Sequence, residues 1–343
     1  MLESRRLSSQ RDAAAIMSVV FLGTPTFAVA SLKRLAQDGH KIAAVVTQPD
    51  RPAGRKLTPR ASPVKTAAQE LGLPVLQPSS LRDQDFLERM RWLSPETMVV
   101  VAYGEILRQN VLDIPPRGVL NVHPSLLPRW RGASPIPAAI LAGDKRTGVS
   151  IMLMEAGMDT GPLLAQTDVP ITDADATLSL SRTLAGKAAD LLGQTMPSWL
   201  SGRLSPEPQD EKLATYCPLL SKEDGAIDWG LSASEIWRRV RAFNPWPGAF
   251  TFLDGELVHI WRALPLAADI GVTVGTISEL PSPLLHQLPD ELREDAAFAV
   301  GTGSGLLVPL EVQRAGRRTL SAAEFARGMR GLAGRQLGSP TAA

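Results

Sequence analysis

An asparagine and a histidine stand two positions apart at the start of a proline-rich loop, Asn121-Val-His-Pro-Ser-Leu-Leu-Pro128. The asparagine amide offers neutral hydrogen-bond donors, and the imidazole exchanges a proton near neutral pH. Together they can polarise a carbonyl and stabilise the oxyanion that forms on nucleophilic attack. The pair predicts acyl-transfer chemistry. The alternative is that His123 caps the loop while Asn121 satisfies buried backbone groups.

A serine hydrolase is not indicated. The sequence contains no Gly-x-Ser-x-Gly elbow, and Ser125 has no motif for an activated nucleophile around it.

A second constellation is Met154-Glu-Ala-Gly-Met-Asp-Thr-Gly-Pro162, in which Asp159 lies between two glycines. Aspartate in such a tight turn commonly hydrogen-bonds its own backbone, which is the structural alternative. The functional hypothesis pairs Asp159 with His123, because a carboxylate orients an imidazole that must donate to a developing oxyanion.

Residues 47–60 form a loop that is too long for a simple connection between elements. Within it, Asp50 is the only acidic counterpart to four cationic residues, Arg51, Arg55, Lys56 and Arg60. Basic loops rich in proline and glycine can bind phosphate backbones, so we predict contact with nucleic acid; a solvated surface loop is the alternative. A second basic cluster near the C-terminus includes Arg314, Arg317 and Arg318, with a solvated helix and tail as its alternative.

Composition narrows the class of protein. The net charge of +1 gives no global attraction to nucleic acid or membrane, so any basic surface must be local. The single cysteine, Cys217, excludes an intrachain disulfide and suits a reducing cytoplasm. The four histidines lack metal-ligand spacing, so we expect no metal. No apolar run approaches the length of about 20 residues that spans a bilayer.

The sequence patterns around these residues indicate an α/β fold. Apolar, strand-like runs at residues 18–24, 42–47, 97–103 and 119–122 alternate with helical patterns, which indicates a Rossmann-like, mostly parallel sheet with helices on both faces. Ligands of such sheets bind at the carboxyl ends of the strands, which is where Asn121 and His123 fall. The turn between the first strand and the first helix has one glycine, Gly23, whereas a dinucleotide site needs three, so NAD is not expected.

The remaining chain predicts a second domain. Residues 202–219 are polar and proline-rich at their start, as in a linker, and short strands with Gly-rich turns follow. We expect a small OB-like β-barrel with a hairpin turning at Asp254-Gly255. Trp246 is expected in the core, with stacking on a base as the alternative. The predicted organisation is a disordered extension at 1–16, a catalytic domain at 17–201, a linker at 202–219, the barrel at 220–335 and a tail at 336–343.

Residues 17–335 resemble the methionyl-tRNA formyltransferase family. The resemblance lies in seven segments, FLGTPTFA at 21–28, TQPDRPAGR at 47–55, VVVAYGEIL at 99–107, NVHPSLLPRWRGASP at 121–135, MEAGMDTGP at 154–162, LSKEDGAIDW at 220–229 and RAFNPWPG at 241–248. One departure is Pro124, since the family commonly has glycine or alanine there and proline removes a backbone N–H.

The resemblance implies transfer of a formyl group from 10-formyltetrahydrofolate, as co-substrate, to the α-amino group of methionine on initiator methionyl-tRNA. It implies that Asn121, His123 and Asp159 are catalytic. The folate-binding segment it implies is Ser125, Leu126, Leu127 and Pro128. Candidate contacts to the acceptor arm of the tRNA are Arg51, Arg55, Lys56, Arg60, Arg314, Arg317 and Arg318.

Two alternatives stay open at this point. The acceptor can be a sugar nucleotide or glycinamide ribonucleotide, or the protein can be an RNA-binding module that has lost catalysis. The expected setting is a cytoplasmic monomer without a membrane partner.

Overall fold

A computed structural model describes residues 17–53, 58–268 and 270–338. The predicted extension at 1–16 and residues 339–343 of the predicted tail lie outside the described residues. The chain folds as two compact units. The first consists of the chain up to Arg131, Gly148–Val169 and Arg182–Tyr216; the second consists of Gly132–Thr147, Pro170–Ser181 and the chain from Cys217 onward.

The strands and helices follow in chain order. The strands are β1 Ser18–Gly23, β2 Lys41–Val46, β3 Arg51–Ala53, β4 Thr58–Arg60, β5 Val75–Leu76, β6 Thr97–Val101, β7 Val119–His123, β8 Arg131–Gly132, β9 Arg146–Leu153, β10 Leu163–Pro170, β11 Tyr216–Cys217, β12 Phe250–Leu253, β13 Glu256–Leu266, β14 Ile277–Glu279, β15 Phe298–Gly301, β16 Leu306–Arg314, β17 Leu320–Ser321 and β18 Leu337–Gly338. The helices are α1 Thr26–Gln37, α2 Pro63–Glu70, α3 Gln84–Leu93, α4 Gln109–Leu112, α5 Pro135–Ala142, α6 Thr177–Leu200, α7 Ala233–Ala242, α8 Ser282–Leu285 and α9 Ala322–Arg327.

The sheet of the first unit has seven strands in the order β10-β9-β7-β6-β1-β2-β5. Strands β5, β2, β1, β6 and β7 run parallel, whereas β9 is antiparallel to β7. The central strands are almost wholly apolar because both faces of the sheet are covered; Val19, Phe21 and Leu22 have no exposed surface. The predicted Rossmann-like fold is confirmed. Sequence patterns had not predicted β9.

The strand order places the topological switch of this sheet between β1 and β6. The chain leaves β1 towards β2 and β5 on one side, then returns to β6 and β7 on the other. Connections diverge at such a point, which leaves a crevice beyond the carboxyl ends of the two strands.

The second unit contains a curled antiparallel sheet in the order β14-β15-β16-β13-β12-β18, with β17 paired to β16. Backbone hydrogen bonds join its two ends: Ile277 donates to Arg335 at 2.9 Å, and Leu337 donates to Gly275 at 2.8 Å. Inward side chains such as Ile260, Val312 and Phe325 form its core. The predicted OB-like barrel is confirmed.

The hairpin between β12 and β13 has the predicted two-residue turn. Leu253 pairs with Glu256, while Asp254 and Gly255 adopt φ of 51° and 79°. Both positive φ values match the turn type that suits the twist of a hairpin.

The prediction that Trp246 lies in the core is wrong. Its side chain is 53% exposed, whereas Phe243 is 2% exposed and is the residue that this segment buries. Prolines at 245 and 247 frame the tryptophan in the turn that follows α7.

Part of the predicted linker is paired with the first unit. Glu207 and Leu163 exchange two backbone hydrogen bonds of 2.7 and 2.8 Å, and Arg131 donates its backbone N–H to Thr215. Residues 207–215 therefore include ordered backbone partners of strand β10 and of the segment after β7. Within the described part of the chain, no helix combines the length and the apolar composition that crossing a bilayer demands.

Candidate active site

Strand β7 places Asn121 and His123 at its carboxyl end. The strand is flanked by β6 and β9, and His123 pairs with Ser150 in the antiparallel register. In an extended strand these two side chains lie on the same face. The structure therefore brings the predicted amide and imidazole together beyond the carboxyl ends of the strands, the edge at which sheets of this kind commonly bind ligands.

His123 has one ring nitrogen fixed by the loop that follows it. Nε2 lies 2.9 Å from the carbonyl oxygen of Trp130, and the residue is 5% exposed. A carbonyl accepts only, so Nε2 carries a proton in this arrangement. Nδ1 lies 3.7 Å from the Asp159 carboxylate, longer than a hydrogen bond. A ligand oxygen can therefore compete for the Nδ1 edge of the ring.

Asp159 reaches this cluster from the tight turn between β9 and β10. Its backbone has φ of 53°, and its Oδ1 accepts a hydrogen bond of 3.3 Å from Asn121 Nδ2. Nearby, a Cβ on Gly161 would lie 1.8 Å from the carbonyl oxygen of Leu153, so only glycine fits there. The structure thus brings Asn121, His123 and Asp159 together; their roles remain predictions.

The sequence did not predict that Arg131 and Gln209 belong to this neighbourhood. Arg131 has no exposed surface and binds Glu211 and Gln209, and Gln209 in turn binds the backbone of the Asp159 turn. The sequence carries no motif for this link, because Gln209 sits in a proline-rich segment that resembles any polar connection.

The predicted folate segment is held in place by hydrogen bonds to residues outside it. Ser125 Oγ donates to the Arg129 carbonyl at 2.6 Å, and Gln166 Nε2 donates to the Leu127 carbonyl at 2.9 Å. Leu127 is 3% exposed, whereas Leu126 and Pro128 are half-buried. The surfaces that this segment leaves for a ligand are therefore chiefly apolar and belong to Leu126 and Pro128.

A cleft of about 930 Å³ opens at the topological switch beyond β1 and β6. Its walls include Thr24, Gln48, Ser62 and Tyr103, with Arg51 and Arg60 at the basic hairpin. Burial, helped by the nearby Glu105 carboxylate, raises the pKa of Tyr103 to about 12, so its hydroxyl stays protonated at neutral pH.

The cationic loop is built on the short hairpin β3–β4. Arg51 pairs directly with Arg60 across the two strands, and both side chains are exposed. Asp50 anchors the base of the hairpin by accepting from Lys65 at 2.7 Å and from Gln77 at 2.8 Å. These two hydrogen bonds lower the pKa of Asp50. Arg55 and Lys56 lie outside the described residues.

The C-terminal cationic candidates differ from one another. Arg314 pairs with Glu256, and Arg318 lies 3.7 Å from Glu324. Arg317 makes no ion pair with any residue that the structure describes, and its side chain is exposed. Over the same described ranges, no group of three or more His, Cys, Asp or Glu side chains has an arrangement that could hold a metal ion.

Comparison with protein families decides the assignment. Residues 17–196 match the formyl transferase family model, and residues 219–330 match the model of the formyl transferase C-terminal domain. The chain belongs to the formyl transferase family.

Relatives of this formyl transferase match it almost from end to end. A protein of Roseiflexus castenholzii named methionyl-tRNA formyltransferase is 49% identical over 324 residues, which cover 94% of this chain and 99% of the relative. One of Solibacter usitatus with the same name is 45% identical over 314 residues, covering 92% and 96%.

Solved structures show the same fold at lower identity. WlaRD, a sugar 3N-formyl transferase crystallised with dTDP and 5-N-formyl-THF, superposes with a TM-score of 0.62 at 16% identity, over 88% of this formyl transferase and 99% of WlaRD. At such identity the likeness concerns the fold alone.

Proposed function

We propose that this formyl transferase moves the formyl group of 10-formyltetrahydrofolate to the α-amino group of methionine on initiator methionyl-tRNA. The observation that carries the chemistry is the convergence of Asn121, His123 and Asp159 at the carboxyl end of β7. The similarity to relatives named methionyl-tRNA formyltransferase over more than nine-tenths of the chain supports the acceptor.

The nucleophile needs little help from a base. An α-amino group has a pKa of about 7.7–8.0, so a usable neutral fraction exists near pH 7.5. The nitrogen lone pair forms a bond to the formyl carbon, and the carbonyl electron pair moves to oxygen. A tetrahedral oxyanion results without a covalent bond to the enzyme. Much of the rate gain then comes from holding two substrates in one geometry.

The oxyanion is stabilised by donors from β7. Asn121 uses one amide hydrogen for Asp159 and keeps the second, which can donate to the oxyanion. His123 is tied to Trp130 through Nε2, so Nδ1 is the edge that faces the reacting oxygen, and it donates to that oxygen when the ring is an imidazolium. Preorganised donors of this kind are each worth about a hundredfold in rate.

Collapse of the tetrahedral species breaks the bond between the formyl carbon and N10 of the folate. The α-nitrogen loses a proton and N10 gains one, which restores the charge balance. Asp159 supports the imidazolium of His123 and helps this transfer. The apolar surfaces of Leu126 and Pro128 suit the ring system of the co-substrate, and these residues would contact it.

The tRNA is proposed to be held by exposed cations of the β3–β4 hairpin and of the second unit. Arg51, Arg60 and Arg317 are the strongest candidates among the described residues, because acidic neighbours partly satisfy Arg314 and Arg318. Arg55 and Lys56 stay predicted contacts. The proposed compartment is the cytoplasm, where translation initiates.

The test is a formylation assay with a panel of acceptors. The protein is mixed with 10-formyltetrahydrofolate and either initiator methionyl-tRNA, glycinamide ribonucleotide or a dTDP-linked amino sugar. Formation of N-formylmethionyl-tRNA is the expected result. Transfer only to another amine would reassign the acceptor, and no transfer to any amine would support an RNA-binding module without catalysis.

A further inference from the structure

Gln209 lies where one side chain amide can hold the Asp159 turn at two points. Its Nε2 donates to the carbonyl oxygen of Asp159 at 2.8 Å and to that of Gly161 at 2.7 Å. The two carbonyls bracket the left-handed turn that carries the carboxylate. Both hydrogens of the amide group are therefore used on the backbone of a single turn.

Arg131 fixes which way this amide points. Its Nε and Nη2 donate to Gln209 Oε1 at 3.1 and 2.9 Å. A guanidinium has donors only, so it selects the oxygen end of the amide and leaves the NH₂ end for the two carbonyls. The orientation of the Gln209 amide is thus determined by Arg131 at its oxygen and by the two carbonyls at its NH₂ group.

The arginine is itself held in a fixed position. It has no exposed surface, and Nη1 and Nη2 bind the Glu211 carboxylate in a bidentate pair of 2.9 and 2.7 Å. A planar guanidinium bound in this way has little freedom to rotate. Glu211 therefore locks Arg131, and Arg131 orients Gln209.

The same segment also supports the other side of the site. Trp130, whose carbonyl accepts from His123, donates its own backbone N–H to Thr215 Oγ1 at 2.9 Å. The neighbouring Arg131 N–H donates to the Thr215 carbonyl at 2.8 Å. Residues 209–215 consequently contact the backbone that holds His123 as well as the backbone that holds Asp159.

We propose that Gln209, oriented by Arg131 and Glu211, is a positioning residue that sets Asp159 against His123 for formyl transfer. This inference rests on the proposed function for its kinetic consequence. The polar segment that the sequence predicts to be a linker then contributes directly to the geometry of the site.

The test uses two substitutions that disrupt the hydrogen-bond network in different ways. Gln209→Met keeps the length of the side chain and removes both sets of hydrogen bonds. Gln209→Glu keeps an oxygen for Arg131 but presents a second oxygen to two carbonyls, so the turn is repelled while the arginine stays paired. Glu207→Met is the matched control, since Glu207 lies two residues away with an exposed side chain and, among the residues that the structure describes, pairs through its backbone alone.

Single-turnover formylation of methionyl-tRNA is expected to slow about tenfold to a hundredfold in both Gln209 variants, with little change in KM for either substrate. Glu207→Met should match the wild type. In an Asp159→Asn background, Gln209→Met should add almost nothing, because the side chain that it positions no longer performs its role. Additive losses would indicate general destabilisation and overturn the proposal.

Hydrogen exchange provides a readout that is independent of turnover. Peptides covering residues 154–162 should exchange faster in both Gln209 variants than in the wild type or in Glu207→Met. Wild-type activity tests the proposed function, and the comparison among variants tests the role of Gln209. Unchanged exchange in this turn, or a rate within about twofold of wild type, would rule out the positioning role.

Discussion

The cluster around His123 and the cationic surfaces proposed for tRNA are built in opposite ways. His123 and Arg131 are nearly or fully buried, and Asp159 is held by a turn that tolerates no side chain at Gly161. Arg51, Arg60 and Arg317 are exposed, and the first two sit on a strand pair of three residues each. Chemistry at a carbonyl needs donors fixed within a fraction of an ångström, whereas attraction of phosphates needs charge and tolerates motion.

The contrast predicts that small changes in the cluster around His123 reduce formyl transfer far more than large changes on the cationic surfaces do. Asp159→Asn is the most severe test, because it keeps the shape of the side chain and removes its charge. We expect formyl transfer to fall by at least about a hundredfold, since the support of the His123 imidazolium is lost. Rapid-quench measurement with saturating substrates checks this, and a change of less than about threefold would separate Asp159 from the chemistry.

Gly161→Ala tests the rigidity of the turn without changing any side chain of the cluster. Its Cβ would meet the Leu153 carbonyl at 1.8 Å, so the backbone must move. We expect the free energy of unfolding to fall by about 1–3 kcal/mol and transfer to slow by about tenfold.

Urea titration and single-turnover kinetics measure these two effects. Gly186→Ala in α6 is the control, because nothing lies within 4 Å of its added Cβ and alanine favours a helix. An equal loss in both variants would show that the turn has no special constraint.

Substitutions of the cationic residues should weaken tRNA binding gradually, and the size of the loss should depend on the salt concentration. Arg60→Ala is expected to weaken tRNA binding and reduce the slope of log affinity against log salt by about one, as one phosphate contact is lost. Arg318→Ala should have a smaller effect, because Glu324 already lies near this guanidinium. Filter binding across a salt series compares the two variants, and identical slopes would remove the distinction between the hairpin arginine and the arginine beside Glu324.

The smallest expected effect concerns Glu211. The hydrogen bonds from Arg131 lower the pKa of this carboxyl below its ordinary value. A carboxyl with a depressed folded-state pKa stabilises the fold above its unfolded pKa of about 4.3, and that contribution is lost as the pH falls through the lower folded value. Between roughly pH 5 and pH 3, the free energy of unfolding of Glu211→Gln should therefore fall less steeply than that of the wild type, because one titrating carboxyl has been removed.

Chemical denaturation of both proteins across this range measures the difference. If the two stability curves stay parallel down to pH 3, the Arg131–Glu211 pair does not exist in solution.

Sequence patterns predicted the repetitive parts of the fold. The apolar runs that became β1, β2, β6 and β7 needed no tertiary information, since strands buried on both faces are uniformly apolar. The positions of Asn121 and Asp159 also followed from local cues, a strand end and a Gly-flanked turn. The prediction of the barrel rested on short strands and on a two-residue hairpin turn at Asp254 and Gly255.

The parts that sequence patterns missed depend on contacts between distant residues. Gln209 meets Asp159 across 50 positions of the chain, and no local pattern marks it. The burial of Arg131 was not predicted, because a buried guanidinium and a substrate contact look alike in sequence until Glu211 is placed beside it. Trp246 was misassigned since proline-framed tryptophans usually pack inward, and here Phe243 fills that position.

The most direct test of the central claim is the single-turnover rate of His123→Ala, with Asn121→Ala beside it, under saturating 10-formyltetrahydrofolate and initiator methionyl-tRNA. Both variants should fold and bind tRNA like the wild type, since neither residue belongs to the cationic surfaces. The predicted result is a loss of at least about a hundredfold in each. A rate within about threefold of wild type in either variant would contradict the assignment of formyl transfer to this cluster.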